Sequence, residues 1–346
     1  MRMEAGFDDL FAEERPVVID VRSPAEFADG SVPGSFNVPL FSNEERAIVG
    51  TLYAHDGVDA AWDEGIRLVS PKIPGIVDAV RGHRGTDTRA VIVLCWRGGM
   101  RSKAAVNFLA LARIPAVQYT GGYKSYRRSI RDVIARIADD FSTITVRGLT
   151  GTGKTAIMRR ALADGAAFLD LEHYAAHRGS AFGGAGLTQP TQQNFEHVLG
   201  EALVRFRYHG DRTLFIEGES RRIGRITVPE VVIDRIIKSD HIEITAPMDV
   251  RVQNILDEYM PFITADLVVA TLEKIRDALG GERYTAYVSL AREERYAELI
   301  RLLMENYYDT GYTFFWNKYG GGRCLLQVPH DAAFDLVRAL RTREQA

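Results

Sequence analysis

The stretch Gly148-Leu149-Thr150-Gly151-Thr152-Gly153-Lys154-Thr155 fits the pattern G-x-x-x-x-G-K-[ST]. It directly follows the apolar run 144–146, where a strand is expected to give way to a helix. In such a loop, backbone amides cradle phosphates, the lysine reaches the terminal ones and the hydroxyl ligates Mg²⁺ when a metal is present. The sequence therefore predicts a phosphate-binding α/β domain, with phosphate ligands at Gly148, Gly151, Gly153, Lys154 and Thr155.

Strands with polar residues at their ends are expected on both sides of this loop. The apolar patterns predict strands over 143–146, 167–171, 213–217 and 241–244, a mostly helical region over 247–308, a last strand over 323–328 and a last helix over 332–341. Three carboxylates lie at or just beyond strand ends, namely Asp170, Glu217 and Glu219. They are candidates to hold a metal, directly or through water, and roles as helix caps or core-edge carboxylates fit them equally well.

A second anion-binding loop, Cys95–Ser102 (CWRGGMRS), follows the apolar run 90–94. The amides of a glycine-rich turn and the positive end of the next helix stabilise an anion and lower a thiol pKa. We therefore expect Cys95 to be a nucleophile, with Arg97 and Arg101 as further catalytic residues. Gly98, Gly99 and Ser102 would complete an oxyanion site.

The length of this loop leaves its electrophile open. The spacing Cys-x5-Arg-Ser is that of cysteine phosphatases, in which Cys95 would attack phosphorus and Arg101 would hold the phosphate bidentately. However, Leu94 stands where such phosphatases usually carry histidine, and no obvious general acid follows. A shorter loop is the usual sulfurtransferase form, so phosphorus, sulfur and selenium all remain candidates.

The segment upstream of the cysteine resembles the rhodanese family. Ile19–Phe27 (IDVRSPAEF) and Gly30–Pro39 (GSVPGSFNVP) look like its Asp-x-Arg, Glu-Phe and Gly-x-Ile-Pro-Gly-Ala signatures, and Gly121-Gly122-Tyr123 matches as well. In that family setting Asp20 and Arg22 would form a pair that supports the cysteine loop. The strand and helix rhythm of this half predicts an α/β domain with a parallel sheet.

Length and composition divide the chain and exclude several classes. The 346 residues predict a rhodanese-like domain over 1–124, a linker helix over 125–142, and a P-loop NTPase-like α/β domain with a helical C-terminal part over 143–346. No apolar run is long enough to span a membrane, and the start lacks a signal-peptide pattern. Two cysteines make neither a disulfide framework nor a cysteine zinc site. Cys324 lies in the apolar stretch 324–326 and is predicted to be a core residue. We expect a cytoplasmic protein without membrane contact and without haem, flavin or zinc.

The net charge of −3 does not by itself predict binding to nucleic acid, which would need a local basic patch. Candidate RNA contacts are Arg127 with Arg128 and Arg221 with Arg222. His177 and Arg178 open a glycine-rich stretch that would be either a lid over the phosphate site or an RNA contact.

Together these motifs resemble the bacterial tRNA 2-selenouridine synthase family, which joins a rhodanese domain to a P-loop domain. The resemblance covers essentially the whole chain and includes Cys95–Ser102, Asn43–Thr51, Asp170–Glu172, His177–Gly183 and Glu217–Gly224. It implies replacement of the sulfur of wobble-position 2-thiouridine in tRNA by selenium from selenophosphate, with a geranylated thio-intermediate made from geranyl diphosphate. It also implies tRNA and the selenophosphate-producing enzyme as partners. Mg²⁺ is a candidate at Thr155.

Two other interpretations compete with this one. The first is a rhodanese-fold cysteine phosphatase or sulfurtransferase with a nucleotide-binding regulatory domain. The second is a non-enzymatic, nucleotide-gated tRNA binder, for which Cys95 would be dispensable.

Overall fold

A computed structural model describes residues 4–86, 89–333 and 335. The strands are β1 Glu4–Ala5, β2 Val17–Asp20, β3 Phe36–Asn37, β4 Val91–Leu94, β5 Ala116–Tyr119, β6 Ser142–Arg147, β7 Phe168–Leu169, β8 Thr213–Glu217, β9 Arg222–Ile223, β10 Ile226–Thr227, β11 His241–Thr245 and β12 Cys324–Pro329. The helices are α1 Pro24–Asp29, α2 Asn43–His55, α3 Val58–Val69, α4 Ile73–Arg84, α5 Met100–Leu111, α6 Gly122–Ala135, α7 Ile137–Asp140, α8 Lys154–Ala163, α9 Leu171–Tyr174, α10 Gln192–Tyr208, α11 Glu230–Lys238, α12 Met248–Tyr259, α13 Ala265–Lys274, α14 Arg276–Leu279, α15 Gly281–Arg292, α16 Tyr296–Leu303 and α17 Asp309–Tyr319. Short 3₁₀ turns cover Asp8–Phe11, Ser70–Lys72 and Met260–Phe262.

The chain forms two compact units, which are described separately. The first comprises residues 1–133 and 191–205, and the second comprises 134–190 and 206–346. The helix expected within 125–142 is observed as α6, which begins at Gly122, and the short α7. The helix expected over 332–341 lies almost entirely outside the described residues.

The first unit is built on a parallel five-stranded sheet in the order β1-β5-β4-β2-β3. The central strands β2 and β4 are buried at every position, as expected when helices cover both faces of a sheet. Asp20 of β2 pairs in register with Leu94 of β4. The residues that follow these two strands, Arg22 and Cys95, are thereby brought to the same edge of the sheet.

Two features of this unit were not predicted. Helices α2 and α3 form an insertion after β3, and α2 begins with a capping box in which Ser42 and Glu45 satisfy each other's backbone amides. Most of α10, although it follows the phosphate loop in sequence, belongs to the first unit. There His197 Nδ1 lies 2.8 Å from the Ser31 carbonyl, and the Tyr126 hydroxyl donates to Glu201 at 3.2 Å.

The second unit also contains a parallel five-stranded sheet, in the order β12-β11-β6-β8-β7. β6 leads into the phosphate loop and α8 begins at Lys154, so the loop is held between the buried C-terminal half of a strand and a helix N-terminus. β8 lies beside β6, with Glu217 opposite Val146, which places this carboxylate next to the loop.

The helical region predicted over 247–308 is confirmed as α12–α16, and α17 extends it. Its core is aliphatic, with Val268, Leu272, Leu290, Leu299 and Leu303 all buried. One π-helical turn, Met304–Tyr308, joins α16 to α17. Such turns are rare and frequently lie at functional sites. Within the described part of the chain, none of the helices has the length and apolarity to cross a bilayer.

Candidate active-site loops

The Cys95 thiol lies inside the loop that follows β4. Its Sγ accepts a hydrogen bond from the Gly99 amide at 3.3 Å and lies 3.2 Å from the Ser102 hydroxyl. Gln118 of β5 donates to the same hydroxyl at 2.8 Å. Cys95 is only 3% exposed, although Arg97 and Gly99 of the same loop are exposed. The sulfur thus accepts one amide hydrogen bond, lies beside a hydroxyl and is shielded from bulk water.

The start of α6 closes the back of this loop. The Tyr123 amide donates to the Cys95 carbonyl at 2.8 Å, and the Lys124 amide donates to Trp96 at 2.9 Å. Gly122 has φ +60°, and a Cβ there would collide with the Cys95 carbonyl and the Gly98 amide. Glycine is therefore required at this position by both conformation and space.

Arg101 is held by a residue that was not predicted to belong to the site. Glu26 Oε2 accepts from Arg101 Nη1 at 2.7 Å, and Oε1 accepts from Nη2 at 3.2 Å. Arg46 also lies near the same carboxylate, with Nε 3.7 Å from Oε2. Burial alone raises the pKa of Glu26, but the hydrogen bonds and charge of Arg101 outweigh it and hold that pKa below its usual value.

The sequence around Glu26 predicts one of the two roles of this residue. Glu26 completes the capping box of α1 with Ser23, and sequence alone identifies that local role. Its pairing with Arg101, 75 residues later, becomes visible only in the fold.

Asp20 and Arg22 form a fully buried ion pair, with Nη2 2.6 Å from Oδ2. Burial raises the pKa of Asp20 despite the opposing charge and hydrogen bonds of Arg22. Arg22 also donates to the Gly30 carbonyl, and its guanidinium lies 3.8 Å from the centre of the Tyr123 ring. The pair is therefore linked to the cysteine loop through Tyr123, whose amide holds the Cys95 carbonyl.

In the second unit, side chains of α12 and α17 hydrogen-bond to the backbone of the phosphate loop. Arg251 Nε donates to the Thr150 carbonyl at 2.7 Å, and Asn254 donates to Gly151 at 2.8 Å. The Gly148 amide donates to the Tyr312 hydroxyl at 2.7 Å. Gly151 has φ +78°, and a Cβ there would lie 2.6 Å from the Arg251 carbonyl. Lys154 Nζ donates to the Gly148 carbonyl at 2.9 Å, so its ammonium is folded over the loop.

Three carboxylates meet beside this loop: Glu172, Glu217 and Glu219 each place an oxygen within 4.8 Å of the others. Thr155 donates to Glu217 at 2.7 Å and lies 3.5 Å from Glu172. Glu172 was quoted in the family motif but not among the candidate ligands. Its place in the cluster depends on the turn of α9, which the sequence does not specify.

The electrostatics of this cluster suit a divalent cation. Burial, followed by the charges of Glu219 and Asp170, raises the pKa of Glu217 to about 8. Burial also raises the pKa of Glu172 and Glu219. The second oxygen of Glu217 is buried and has no hydrogen-bond partner. Carboxylate and hydroxyl oxygens are the ligands that Mg²⁺ prefers, so these residues fit that ion.

Asp170 has a different local role. It accepts from the His173 amide as the N-cap of α9 and pairs with Arg159 Nε at 2.5 Å. Glu217 and Glu219 line the cavity described next, whereas Asp170 does not.

A cavity of about 990 Å³ opens from the phosphate loop into the helical region. Glycines of the loop, Lys154, Thr155 and the three glutamates line its polar end. The remainder is mainly apolar and aromatic, and includes Ile263, Val268, Leu299, Leu303, Tyr308 and Phe315.

The loop that begins at His177 lies at this cavity. Arg178 and Gly179 are among the lining residues. Arg178 donates to the Ala185 carbonyl at 2.8 Å, and its guanidinium lies 4.9 Å from the centre of the Phe262 ring. Burial lowers the pKa of His177. The stretch therefore borders the cavity, and the two roles stated for it, a lid and an RNA contact, stay predictions.

The remaining basic candidates are distributed over both units. In the first unit, Arg128 is exposed and Arg127 half-buried on α6. In the second, Arg221 pairs with Glu230 at 3.3 Å, and Arg222 is exposed on β9. Cys324, which the apolar stretch around it predicted to be a core residue, is exposed, so that prediction was wrong.

Comparison with known proteins agrees with the two loops. Residues 5–129 match the rhodanese-like domain, and residues 141–342 match the tRNA 2-selenouridine synthase AAA domain. The fold is therefore a rhodanese-like α/β domain followed by a P-loop AAA domain, as predicted.

Similar proteins identify the family. The chain is 35% identical to a tRNA 2-selenouridine synthase of Hydrogenovibrio crunogenus over 90% of this chain and 92% of that protein. It is also 35% identical to one of Cupriavidus pinatubonensis over 99% and 100%. The chain belongs to the tRNA 2-selenouridine synthase family and is an enzyme, a transferase. The expected family and enzyme class are confirmed, and the non-enzymatic alternative is set aside.

Proposed function

We propose that this enzyme replaces the sulfur of 2-thiouridine at the wobble position of tRNA by selenium from selenophosphate, through an S-geranylated intermediate. The observation that carries the proposal is the cavity of the second unit, which joins a phosphate loop to a mainly apolar chamber. The similarity of the whole chain to tRNA 2-selenouridine synthases supports the overall reaction. The cysteine loop of the first unit supplies the second anion site.

The chamber favours a prenyl diphosphate over a nucleotide. A diphosphate would bind the amides of the phosphate loop, Lys154 and Thr155. A branched hydrocarbon chain buried among aliphatic and aromatic side chains gains roughly 25 cal/mol per Å² of apolar surface removed from water. The aliphatic side chains of Val268, Leu299 and Leu303 offer no hydrogen-bond partner to the hydroxyls of a ribose.

A divalent cation, if bound, would be held by Thr155, Glu217, Glu172 and Glu219, and it would neutralise the charge of the departing diphosphate. Lys154 would stabilise the same oxygens. The sulfur of 2-thiouridine would attack the first carbon of the prenyl chain as its bond to the diphosphate breaks, and the proton on N3 of the base would be released. Alkylation converts the sulfur into a leaving group that a selenium nucleophile can displace.

At the other loop, selenophosphate would bind as a tetrahedral oxyanion to the amides of Gly98 and Gly99 and to Arg97, Arg101 and Ser102. The tRNA backbone would contact the exposed basic side chains, with Arg128 and Arg222 as the clearest candidates. Such binding should weaken steeply as salt rises. The selenophosphate-producing enzyme is the proposed source of the donor, and the cytoplasm is the proposed location.

Nucleoside analysis of tRNA tests this proposal. Cells lacking the protein would be complemented with the wild type, Cys95→Ala, Lys154→Ala or, as a matched control, Lys238→Ala, which alters an exposed lysine paired with Asp234. We expect 2-selenouridine with the wild type and the control only. Lys154→Ala should also remove the geranylated nucleoside, while Cys95→Ala should let it accumulate. Persistence of 2-selenouridine with Cys95→Ala would refute the proposal.

A ligand-binding measurement separates the two candidates for the phosphate loop. Calorimetric titration with geranyl diphosphate and with ATP, each in the presence of Mg²⁺, should show the tighter binding for geranyl diphosphate. Leu303→Asp should reduce that affinity while leaving inorganic diphosphate binding intact. Tighter binding of ATP would favour the nucleotide-regulated alternative.

A further inference from the structure

We propose that Cys95 attacks the phosphorus of selenophosphate, forms a phosphocysteine and releases selenium as hydrogen selenide. This inference rests on the proposed function, because it takes selenophosphate as the ligand of the cysteine loop. It concerns which atom of that donor the thiolate attacks.

The first argument is the length of the cysteine loop and the contact that holds the arginine at its end. Arg101 comes six residues after Cys95 and its guanidinium is held in place by Glu26. A loop of this length, with an arginine at its end, surrounds a tetrahedral group whose oxygens are bound by amides and guanidinium. The thiol inside it then faces the central atom of that group, which in selenophosphate is phosphorus.

The second argument is the hydroxyl beside the sulfur. Ser102 Oγ lies 3.2 Å from Sγ, and Gln118 Nε2 donates to that oxygen at 2.8 Å. Ser102 Oγ also lies at donor distance from the Gly99 carbonyl, at 3.2 Å, so its proton is within reach of both that carbonyl and Sγ. A negative charge on the sulfur would draw the proton toward Sγ. A donor at this position stabilises a thiolate that leaves phosphorus when water attacks the phosphocysteine.

The third argument is the electron balance. When the thiolate attacks phosphorus, the S–P bond forms and the P–Se bond breaks. Selenium keeps the bonding pair, takes a proton from water and leaves as hydrogen selenide. Water then attacks phosphorus, the S–P bond breaks, and inorganic phosphate departs with the thiolate restored. No atom changes oxidation state, and the released selenide is the nucleophile needed to displace the alkylated sulfur.

Attack on selenium does not balance in the same way. It would leave the P–Se bonding pair on phosphorus as phosphite and place selenium on the cysteine as Cys–S–Se⁻. Delivery of that selenium as selenide would then need two electrons from a further thiol. Cys95 is the only cysteine in the sequence of the first unit, and the chain has two in total.

Mass spectrometry of peptides from the full-length protein tests the inference. The full chain would be mixed with selenophosphate, quenched on the millisecond scale, and Cys95-containing peptides examined. Phosphoryl and selenium adducts have nearly equal masses, but only the latter shows the isotope pattern of selenium. We expect a phosphoryl adduct on Cys95, equimolar hydrogen selenide trapped as its alkylated derivative, and inorganic phosphate rather than phosphite.

The variant Ser102→Ala separates formation of the phosphocysteine from its breakdown. It should retain adduct formation but slow breakdown of the phosphocysteine by roughly 10²-fold, so the adduct accumulates. Ser289→Ala, which removes an exposed hydroxyl that binds Glu293, is the matched control and should behave as the wild type. Circular dichroism would verify that both variants fold.

The outcomes distinguish this inference from the proposed function. A selenium isotope pattern on Cys95, phosphite as product, or no phosphoryl adduct even in Ser102→Ala would overturn the inference, while Cys95-dependent 2-selenouridine formation would still stand. Formation of 2-selenouridine by Cys95→Ala would overturn both.

Discussion

Glu26 binds both terminal nitrogens of Arg101, with Nη1 2.7 Å from Oε2 and Nη2 3.2 Å from Oε1. This contact fixes the plane of the guanidinium. The carboxylate does not bind Nε of Arg101. Glu26 is itself anchored, because its Oε2 also accepts from the Ser23 amide at 3.1 Å. The arginine at the end of the cysteine loop is therefore oriented by a helix cap located elsewhere in the sequence.

We expect Glu26→Gln to raise the KM for selenophosphate by roughly tenfold, because a neutral amide offers one acceptor and no charge to hold Arg101. Steady-state kinetics would show the change mainly in KM if Glu26 acts by positioning. Asp78→Asn, which alters the exposed partner of Arg81, is the control and should leave both constants unchanged. An unaltered KM in Glu26→Gln would show that Arg101 does not need this partner.

The two cysteines should react with disulfide reagents at very different rates. Cys324 is exposed, whereas Cys95 is 3% exposed inside its loop. Thiol titration of the native protein should therefore show one fast and one slow phase, and Cys324→Ser should abolish the fast one. A fast phase that survives in Cys324→Ser would mean that the cysteine loop opens readily.

Much of the site, but not its supporting contacts, could be predicted from sequence. The two anion loops are local patterns of glycine, cysteine, lysine and arginine after apolar strands, so short-range rules locate them. Glu26, Glu172 and Gln118 join the loops through tertiary contacts over 75, 17 and 16 residues, for which no sequence period exists. The placement of α10 in the first unit has the same cause, since its partners Ser31 and Tyr126 lie far upstream.

The exposure of Cys324 shows that an apolar run does not by itself predict burial. The stretch Cys324–Leu326 resembles a core strand, yet it forms β12 at the edge of its sheet, with Leu325 and Leu326 each 45% exposed. Apolar periodicity identifies a strand but does not reveal whether both its faces are covered.

The carboxylate cluster should make stability depend on pH in the absence of metal. The pKa of Glu217 is raised from 4.5 to about 8 in the folded protein, so its protonated form is favoured by folding. Its contribution to stability is fully present below about pH 4.5 and is lost as pH rises through about 8. Each unit of pKa difference corresponds to roughly 1.4 kcal/mol at most.

Urea unfolding between pH 5 and 8.5 with a chelator present would measure this dependence. We expect Glu217→Gln to flatten the decline, because its amide does not titrate. Added Mg²⁺ should restore stability at the upper end of the range, where the carboxylates are ionised and able to bind it. A decline that is identical in Glu217→Gln would place its origin in other groups, and a decline unaffected by Mg²⁺ would argue against a cation at this cluster.

Arg251 should be among the most important side chains for the stability of the second unit. It is 4% exposed, donates to the Thr150 carbonyl at 2.7 Å and holds both oxygens of Asp309, at 2.9 and 2.6 Å. Arg251→Met keeps most of the side-chain volume but leaves Asp309 and the carbonyl without their donor. Arg251 is buried and Asp309 is partly exposed, so breaking this pair should cost about 2–3 kcal/mol, somewhat less than for a fully buried pair.

The matched control is Arg276→Met, which alters an exposed arginine paired with Glu273 at 3.4 Å and should cost less than about 1 kcal/mol. Because Arg251 also shapes the phosphate loop, its variant should bind diphosphate more weakly even at temperatures where it remains folded. Denaturant unfolding and calorimetric titration would measure the two effects separately. A large loss of stability with unchanged diphosphate affinity would show that the loop keeps its conformation without Arg251, and that its glycines and Asn254 are sufficient to hold it.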